Sequence, residues 1–336
     1  MIKEVKITNF KSIKELSFNT KRINLFIGKP NTGKSNILES LGVFSILYNP
    51  SSLNSSTLKP LVRFENIPDI FYNKETTLKI EVLTNIFSWE SIFVSSYHNE
   101  IHIQIRKGKE ESDVICSLQC GKQFNSLLPS PGAPLSEILN KLERPIKFYR
   151  FQTLATFYKP EFNFLLPPNG ENLLFILTTN QEIYDFVNSI LNEYNLEVVL
   201  DEAEAKIKIL VNAPKKFFLP YNNLSDTLQR TIFHFVAILS NKNSVLLFEE
   251  PESHSFPYYT KLLAEMIADD KNNNQYFIST HNPYFLYTLI EKTPREDLAI
   301  FVTYLKDYQT KIRELTEKEI EAIRERKFDP FFQFDE

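Results

Sequence analysis

The stretch INLFIGKPNTGKSNILESLGVF, Ile23 to Phe44, decides how this chain is read. An apolar strand over 23–28 runs into GKPNTGKS, Gly28 to Ser35, and helical periodicity follows over 33–48. The eight residues fit G-x-x-x-x-G-K-[S/T] at every fixed position. Gly28 and Gly33 let the backbone bend around an anion, and the loop amides with the helix N-terminus point at phosphate oxygens. Lys34 then reaches the β- and γ-phosphates as a point charge, and the Ser35 hydroxyl is a Mg²⁺ ligand. An ordinary Gly-containing turn between strand and helix is the bland alternative. The strand before the loop and the helix after it argue against that alternative.

Two later stretches supply the partners such a loop needs. SVLLFEEPESH (244–254) has four apolar residues and then Glu249 and Glu250. A fully apolar run suits a strand buried on both faces of a parallel sheet, and acids at its C-terminal end sit where such sheets bind ligands. Glu249 is assigned to Mg²⁺, and Glu250 to orienting and deprotonating the attacking water. In QYFISTHNPYF (275–285) His281 follows another apolar strand, expected to lie beside the first with a helix between. His281 is placed to report on the γ-phosphate; His254, just past the acids, competes for that role.

Around these motifs the segment from about 224 to the strand LAIFVTYL (298–305) alternates helix and strand, which makes a parallel sheet. Residues 77–120 instead read as a meander of antiparallel strands. Residues 49–62 read as a loop and PSPGAP (129–134) as a break. The expected fold is α/β: a mainly parallel core sheet with helices plus an inserted antiparallel β-subdomain. One domain is expected over 1–336, divided into a phosphate-loop core segment (1–48), the antiparallel region (60–155), a helical and β insertion (156–215), a second core segment (216–310) and a C-terminal tail (311–336).

Composition narrows the class. With 38 basic and 42 acidic side chains the net charge is −4, so no global positive field draws the chain to nucleic acid. A local basic groove, and hence DNA as a partner, stays open. The two cysteines, Cys116 and Cys120, form no disulfide framework. Four apart on one strand they would stand about 13 Å from each other. The N-terminus shows no cleavable leader, and the longest apolar runs are about half the ~20 residues of a membrane span. A cytoplasmic protein without a membrane partner is expected.

Together these motifs resemble the ABC-type ATPases of the SMC/RecF/Rad50-like branch, and more narrowly the stand-alone ATPase domain of OLD-family proteins. GKPNTGKSN resembles their Walker A, LLFEEPESHSFP their Walker B and D-loop, ISTHNPYFL their switch-histidine motif, and NLSDTLQR (223–230) occupies the position of the ABC signature. The resemblance covers about residues 1–48 and 220–305. It implies a P-loop NTPase fold of ABC-ATPase type with ATP and Mg²⁺ as ligands. It also implies a homodimer with ATP between a Walker A of one subunit and the signature of the other. The implied nucleotide-binding set is Lys11, Gly28, Lys29, Pro30, Asn31, Thr32, Gly33, Lys34, Ser35, Asn36, and from the signature Ser225, Asp226, Gln229 and Arg230. Gln152 is the implied Q-loop ligand of Mg²⁺, beside Ser35 and Glu249.

Two departures from the pattern matter. The signature carries Thr227 where glycine is usual, and about fifty residues follow His281, too few for the Toprim nuclease of OLD proteins. The leading expectation is therefore a slow ATPase that closes a homodimer on ATP and controls a separate nuclease or toxin, in DNA repair or antiviral defence. A nucleotide-gated scaffold with negligible hydrolysis, a transporter's nucleotide-binding subunit, and a P-loop kinase or GTPase are the other readings. The last lacks an N-K-x-D element.

Overall fold

The computed structural model describes residues 1–48, 58–95, 100–107, 114–120, 128–129, 144–157 and 162–327. All but the first residue of the expected break at 129–134 and most of the expected loop at 49–62 lie outside them. The chain opens with β1 (Glu4–Phe10), β2 (Ile13–Asn19), β3 (Ile23–Ile27) and α1 (Lys34–Gly42), which tightens into a 3-10 segment over Val43–Tyr48. Strands β4 (Ile80–Thr84), β5 (Phe87–Ser95), β6 (Glu100–Lys107), β7 (Val114–Cys120), β8 (Leu128–Pro129) and β9 (Ile146–Tyr149) follow. Next come α2 (Leu173–Thr179), α3 (Gln181–Asn192), β10 (Leu196–Asp201), β11 (Lys206–Val211) and β12 (Phe217–Pro220). The final third holds α4 (Asp226–Ser240), β13 (Val245–Glu249), α5 (Pro257–Ala268), β14 (Gln275–Ser279), α6 (Pro283–Lys292), β15 (Leu298–Lys306), β16 (Gln309–Glu314) and α7 (Glu317–Arg324).

Six strands form the central sheet in the order β16-β15-β3-β14-β13-β9. All neighbours are parallel except the edge hairpin β15–β16. Every residue of β3 and β14 is buried, because both faces of the sheet are covered. Alternate residues serve two cores. Leu25, Phe248, Ile278 and Ile300 pack with the helices α2 to α6 on one face. Phe26, Leu247, Phe277 and Phe301 pack on the other against α1 and the antiparallel sheet. That second sheet runs β2-β1-β4-β5-β6-β7-β8, and a third, β10-β11-β12, completes the fold.

The mainly parallel core with an antiparallel β-subdomain is therefore as the sequence implies, with three differences in its divisions. β1 and β2 join the antiparallel sheet rather than the core sheet, pairing β1 with β4 across the insertion. β9 falls inside the span assigned to the antiparallel region, yet pairs parallel with β13. Its four residues are all buried, as a strand covered on both faces requires. The segment expected as a tail forms β16 and α7. Its charged composition hides a Thr316–Glu319 capping box and a buried stripe of Ile320 and Ile323. No helix among the described residues is long and apolar enough to cross a membrane.

One buried ionisable group stands out. Lys147 on β9 donates to Asn241 Oδ1 at 2.5 Å and lies 3.2 Å from the centre of the Phe164 ring. Burial holds its pKa well below the ordinary lysine value. The unfolded chain protonates Lys147 where the folded one does not, so unfolding takes up a proton and this group's contribution to stability rises with pH. In urea unfolding the wild type should gain stability as pH rises below the ordinary lysine pKa. Lys147→Met should make that dependence shallower, and an unchanged slope would rule the assignment out.

Candidate nucleotide-binding site

The site lies at the C-terminal ends of β3, β13 and β14. Parallel register sets it: Leu25 is level with Ile278, and Ile278 with Phe248. The phosphate loop, the paired acids and the histidine loop therefore leave the sheet side by side.

The loop needs its glycines. Gly28 and Gly33 have φ of +137° and +95°, and Asn31 also sits in the left-handed region at +63°. A Cβ on Gly33 would lie 2.0 Å from Thr310 Oγ1, and one on Gly28 would lie 2.4 Å from the Thr303 carbonyl. The hairpin β15–β16 thus packs directly against the loop. Thr303 and Thr32 share a hydroxyl–hydroxyl bond of 2.6 Å, and Thr310 Oγ1 donates to the Thr32 carbonyl at 3.0 Å. Ser12, in the β1–β2 turn, bonds Thr310 Oγ1 and accepts from Asn36 Nδ2. Asn36 is thereby used as a brace of the loop. None of these threonine contacts is visible in the sequence, where Thr303 and Thr310 carry no motif.

Lys34 Nζ donates to the carbonyls of Gly28 and Lys29 at 2.9 and 2.8 Å, bridging the loop it would share with a phosphate. Burial pulls its pKa down to about 8, against the opposing pull of Glu250. Lys29, Pro30 and Asn31 form the exposed rim of the loop.

Behind the loop lies a charge cluster that local sequence does not announce. Glu39 of α1 is 0% exposed. It pairs with Lys11, with Arg63 at 2.7 Å and with Arg150 at 2.8 Å. The same two arginines reach Glu249, at 2.7 and 2.9 Å. Burial pushes the Glu249 carboxyl up, but Arg150, the Ser35 hydroxyl and Arg63 outweigh it and hold the group below the usual carboxylate range. Burial likewise lowers Lys11, partly countered by Glu39.

The Ser35 hydroxyl and an ionised Glu249 are hard oxygen donors in mutual contact, and Glu249 already neutralises cations. That chemistry fits Mg²⁺, which takes one or two protein oxygens and fills its remaining positions with phosphate and water. Among the described residues no group of three or more His, Cys, Asp and Glu side chains could hold a metal by itself.

Glu250 follows at φ +42°, with its amide donating to the Ser279 carbonyl on β14. Its Oε1 is 3.6 Å from His281 Nε2, and its Oε2 accepts from Ser253 Oγ at 3.2 Å. His281, rather than the exposed His254, is the histidine beside the acids. Burial and the nearby Lys34 depress the His281 pKa, and Glu250 partly restores it.

Three expected residues are turned to other uses. Gln229 is 3% exposed and donates to the Leu224 carbonyl at 2.6 Å, because α4 points it into the loop before the helix. Gln152 lines a small cavity with Phe151, Phe157 and Tyr221, while Arg150, two residues earlier, is the side chain that reaches Glu249. Arg230 pairs with Asp226 at 2.6 Å and covers the Phe151 ring. Ser225 caps α4, accepting from the Leu228 amide, and it stays exposed together with Asp226. Thr227 Oγ1 donates to the His254 carbonyl at 2.8 Å, tying the start of α4 to the turn that follows the acids.

A family model described as "AAA domain, putative AbiEii toxin, Type IV TA system" matches residues 23–286. An "ATP/GTP phosphatase" of Helicobacter pylori is 22% identical over 89% of this chain and 90% of its own length. The "DNA replication and repair protein RecF" of Clostridium kluyveri is 36% identical, but over only 26% of this chain and 21% of its own. Among solved structures, an Smc head bound to the C-winged helix domain of ScpA aligns with a TM-score of 0.52 at 14% identity, covering 95% of this chain and 99% of that one. A Pyrococcus furiosus Smc head with an extended coiled coil, bound to the C-terminal domain of ScpA, gives 0.51 at 13%, covering 97% and 99%. At such identities the likeness speaks for the fold.

The Glu39 cluster should carry measurable stability. Removing one partner of a buried ion pair costs about 3–5 kcal/mol. Arg63 is largely exposed, so Glu39→Gln is expected near the lower end, about 3 kcal/mol in urea unfolding. Arg150→Gln should cost clearly less in the Glu39→Gln background than in the wild type; strictly additive costs would mean the two side chains do not interact.

Proposed function

The chain belongs to the AAA-domain family whose model spans residues 23–286, an ATPase of the SMC/RecF type, and from that premise we propose a working cycle. In our reading it binds Mg-ATP, closes a homodimer around the nucleotide, hydrolyses it slowly and so regulates a separate effector. One observation carries the reading. The Gly28–Ser35 loop, Glu249, Glu250 and His281 converge from three neighbouring strand ends, with the Ser35 hydroxyl beside Glu249 and Glu250 3.6 Å from His281.

Each residue has a task in that cycle. The loop amides and the start of α1 receive the β- and γ-phosphates, and Lys34 exchanges its two carbonyl partners for phosphate oxygens. Ser35 and Glu249 would hold Mg²⁺, which supplies neutralisation of the phosphate charge when bound. Glu250 accepts a proton from the attacking water as its oxygen bonds to the γ-phosphorus. The bond to the β–γ bridging oxygen breaks, and ADP leaves with the electron pair. His281 orients the water or the γ-phosphate beside Glu250. Exposed Ser225 and Asp226, at the start of α4, form the face offered to the second subunit's nucleotide. The toxin–antitoxin wording of the family description and the RecF-like segment support an effector in defence or in DNA repair.

Size measurement by light scattering, with and without Mg-ATP, tests the cycle together with phosphate release. Lys34→Ala should lose both dimer and turnover. Glu250→Gln should lower turnover at least a hundredfold and accumulate the ATP-bound dimer. Equal phosphate release from wild type and Glu250→Gln would remove Glu250 from the mechanism. ATP-dependent dimerisation without any release would favour the scaffold reading, which Thr227 in the signature motivates.

A further inference from the structure

Glu252 has no part in the cycle above, yet it is the most constrained acid of its turn. It is 5% exposed. Its Oε1 accepts from Thr280 Oγ1 at 2.5 Å, and Oε2, fully enclosed, has no hydrogen-bond partner of normal geometry. Thr280 immediately precedes His281, and its Oγ1 also accepts from the Asn282 amide at 3.0 Å. One carboxyl therefore joins the turn that carries Glu250 to the loop that carries His281.

That turn needs holding. Glu250 and His254 both adopt left-handed backbone, at φ +42° and +60° without glycine. Such conformations persist only where the surroundings over-determine them. Backbone bonds from Ser253 to the Glu250 carbonyl and from Ser255 to the Glu252 carbonyl shape the turn internally. The Glu252–Thr280 bond is its side-chain anchor to the neighbouring strand end.

We propose that Glu252 is a positioning residue for hydrolysis, clamping the Glu250 turn onto the His281 loop so that both groups face one water. This rests on the ATPase reading. The ionic state of the clamp gives it a signature. Burial pushes the Glu252 carboxyl up to about 7; Thr280 and the amides of Glu252 and His281 pull against that, and the Glu250 charge adds to it. No cation is among these groups. As pH rises through about 7, an unpaired charge appears in the interior beside Glu250, and the turn must open to hydrate it. The expected consequence is a fall in kcat on the alkaline side at saturating ATP.

Steady-state kinetics between pH 6 and 7.5, below the point near 8 where Lys34 loses its own proton, test the clamp. Glu252→Gln keeps an oxygen for Thr280 and cannot ionise, so its kcat should stay level where the wild type's falls. Glu252→Ala and Thr280→Val should each lower kcat about tenfold with KM for ATP unchanged. A Glu252→Gln profile that falls like the wild type's, or an Ala variant with wild-type kcat, overturns the proposal. Amide hydrogen exchange on the nucleotide-free protein gives a readout that needs no turnover. Protection at His281 and Asn282 should drop about tenfold in Glu252→Ala and be retained in Glu252→Gln. Unchanged protection in the Ala variant sinks the clamp. The expected drop in Glu252→Ala, found together with a wild type that releases no phosphate, would instead keep the clamp and sink the ATPase reading.

Discussion

A carboxylate with no access to water governs the geometry of this site. Glu39 lies one turn into α1, beneath the phosphate loop, and an isolated charge there would cost several kcal/mol. The chain answers by bringing cations from three places: Lys11 from the β1–β2 turn, Arg63 from the segment before β4, and Arg150 from the end of β9. Because Arg63 and Arg150 also hold Glu249, neutralising Glu39 fixes the acid expected at the metal. The antiparallel sheet is thus joined to the parallel one at the point where chemistry is expected. Its first hairpin delivers both Lys11 and Ser12 to the loop.

The hairpin β15–β16 closes the loop from the other side. Thr303 and Thr310 approach the two glycines so closely that any side chain there would collide with them. The glycines therefore answer two demands at once, backbone angles unavailable to other residues and room for a neighbouring hairpin. Held between Ser12, Thr303 and Thr310, the loop is shaped before any phosphate arrives. Preorganisation of this kind spares the binding step the cost of ordering the backbone.

What the sequence made legible was whatever depends on short range. Gly28 to Ser35 has a fixed spacing, VLLF before Glu249 marks a strand buried on both faces, and helix and strand alternate plainly after residue 224. The parallel sheet and its three converging strand ends follow from those signals alone. Side chains whose role exists only across the fold stayed hidden. Glu39 reads as one acid on a helix, Arg63 and Arg150 as surface charges, and Thr310 as the motif-free last residue of the second core segment, until β16 is seen against the loop. The tail itself was readable in one respect, since Thr316 followed three residues later by Glu319 is a helix start. Gln152 stands out by family pattern while Arg150 does not, and the burial of Gln229 depends on the path of the loop before α4, which no spacing reveals.

The start of α4 shows how the unusual Thr227 fits this arrangement. A glycine there would bring no side chain, leaving the helix start joined to the acids only through packing. Thr227 lies inside the helix, so its backbone needs no special freedom, and its hydroxyl spans to the carbonyl of His254. His254 ends the turn that begins at Glu250, and Glu252 within that turn reaches Thr280 beside His281. Three loops are thereby linked in series through two threonine hydroxyls. The exposed helix start, where Ser225 and Asp226 stand, is therefore connected to the Glu250 turn and the His281 loop by hydrogen bonds. Thr227, where the family pattern carries glycine, thus ties that surface by one side-chain bond to the turn that carries Glu250.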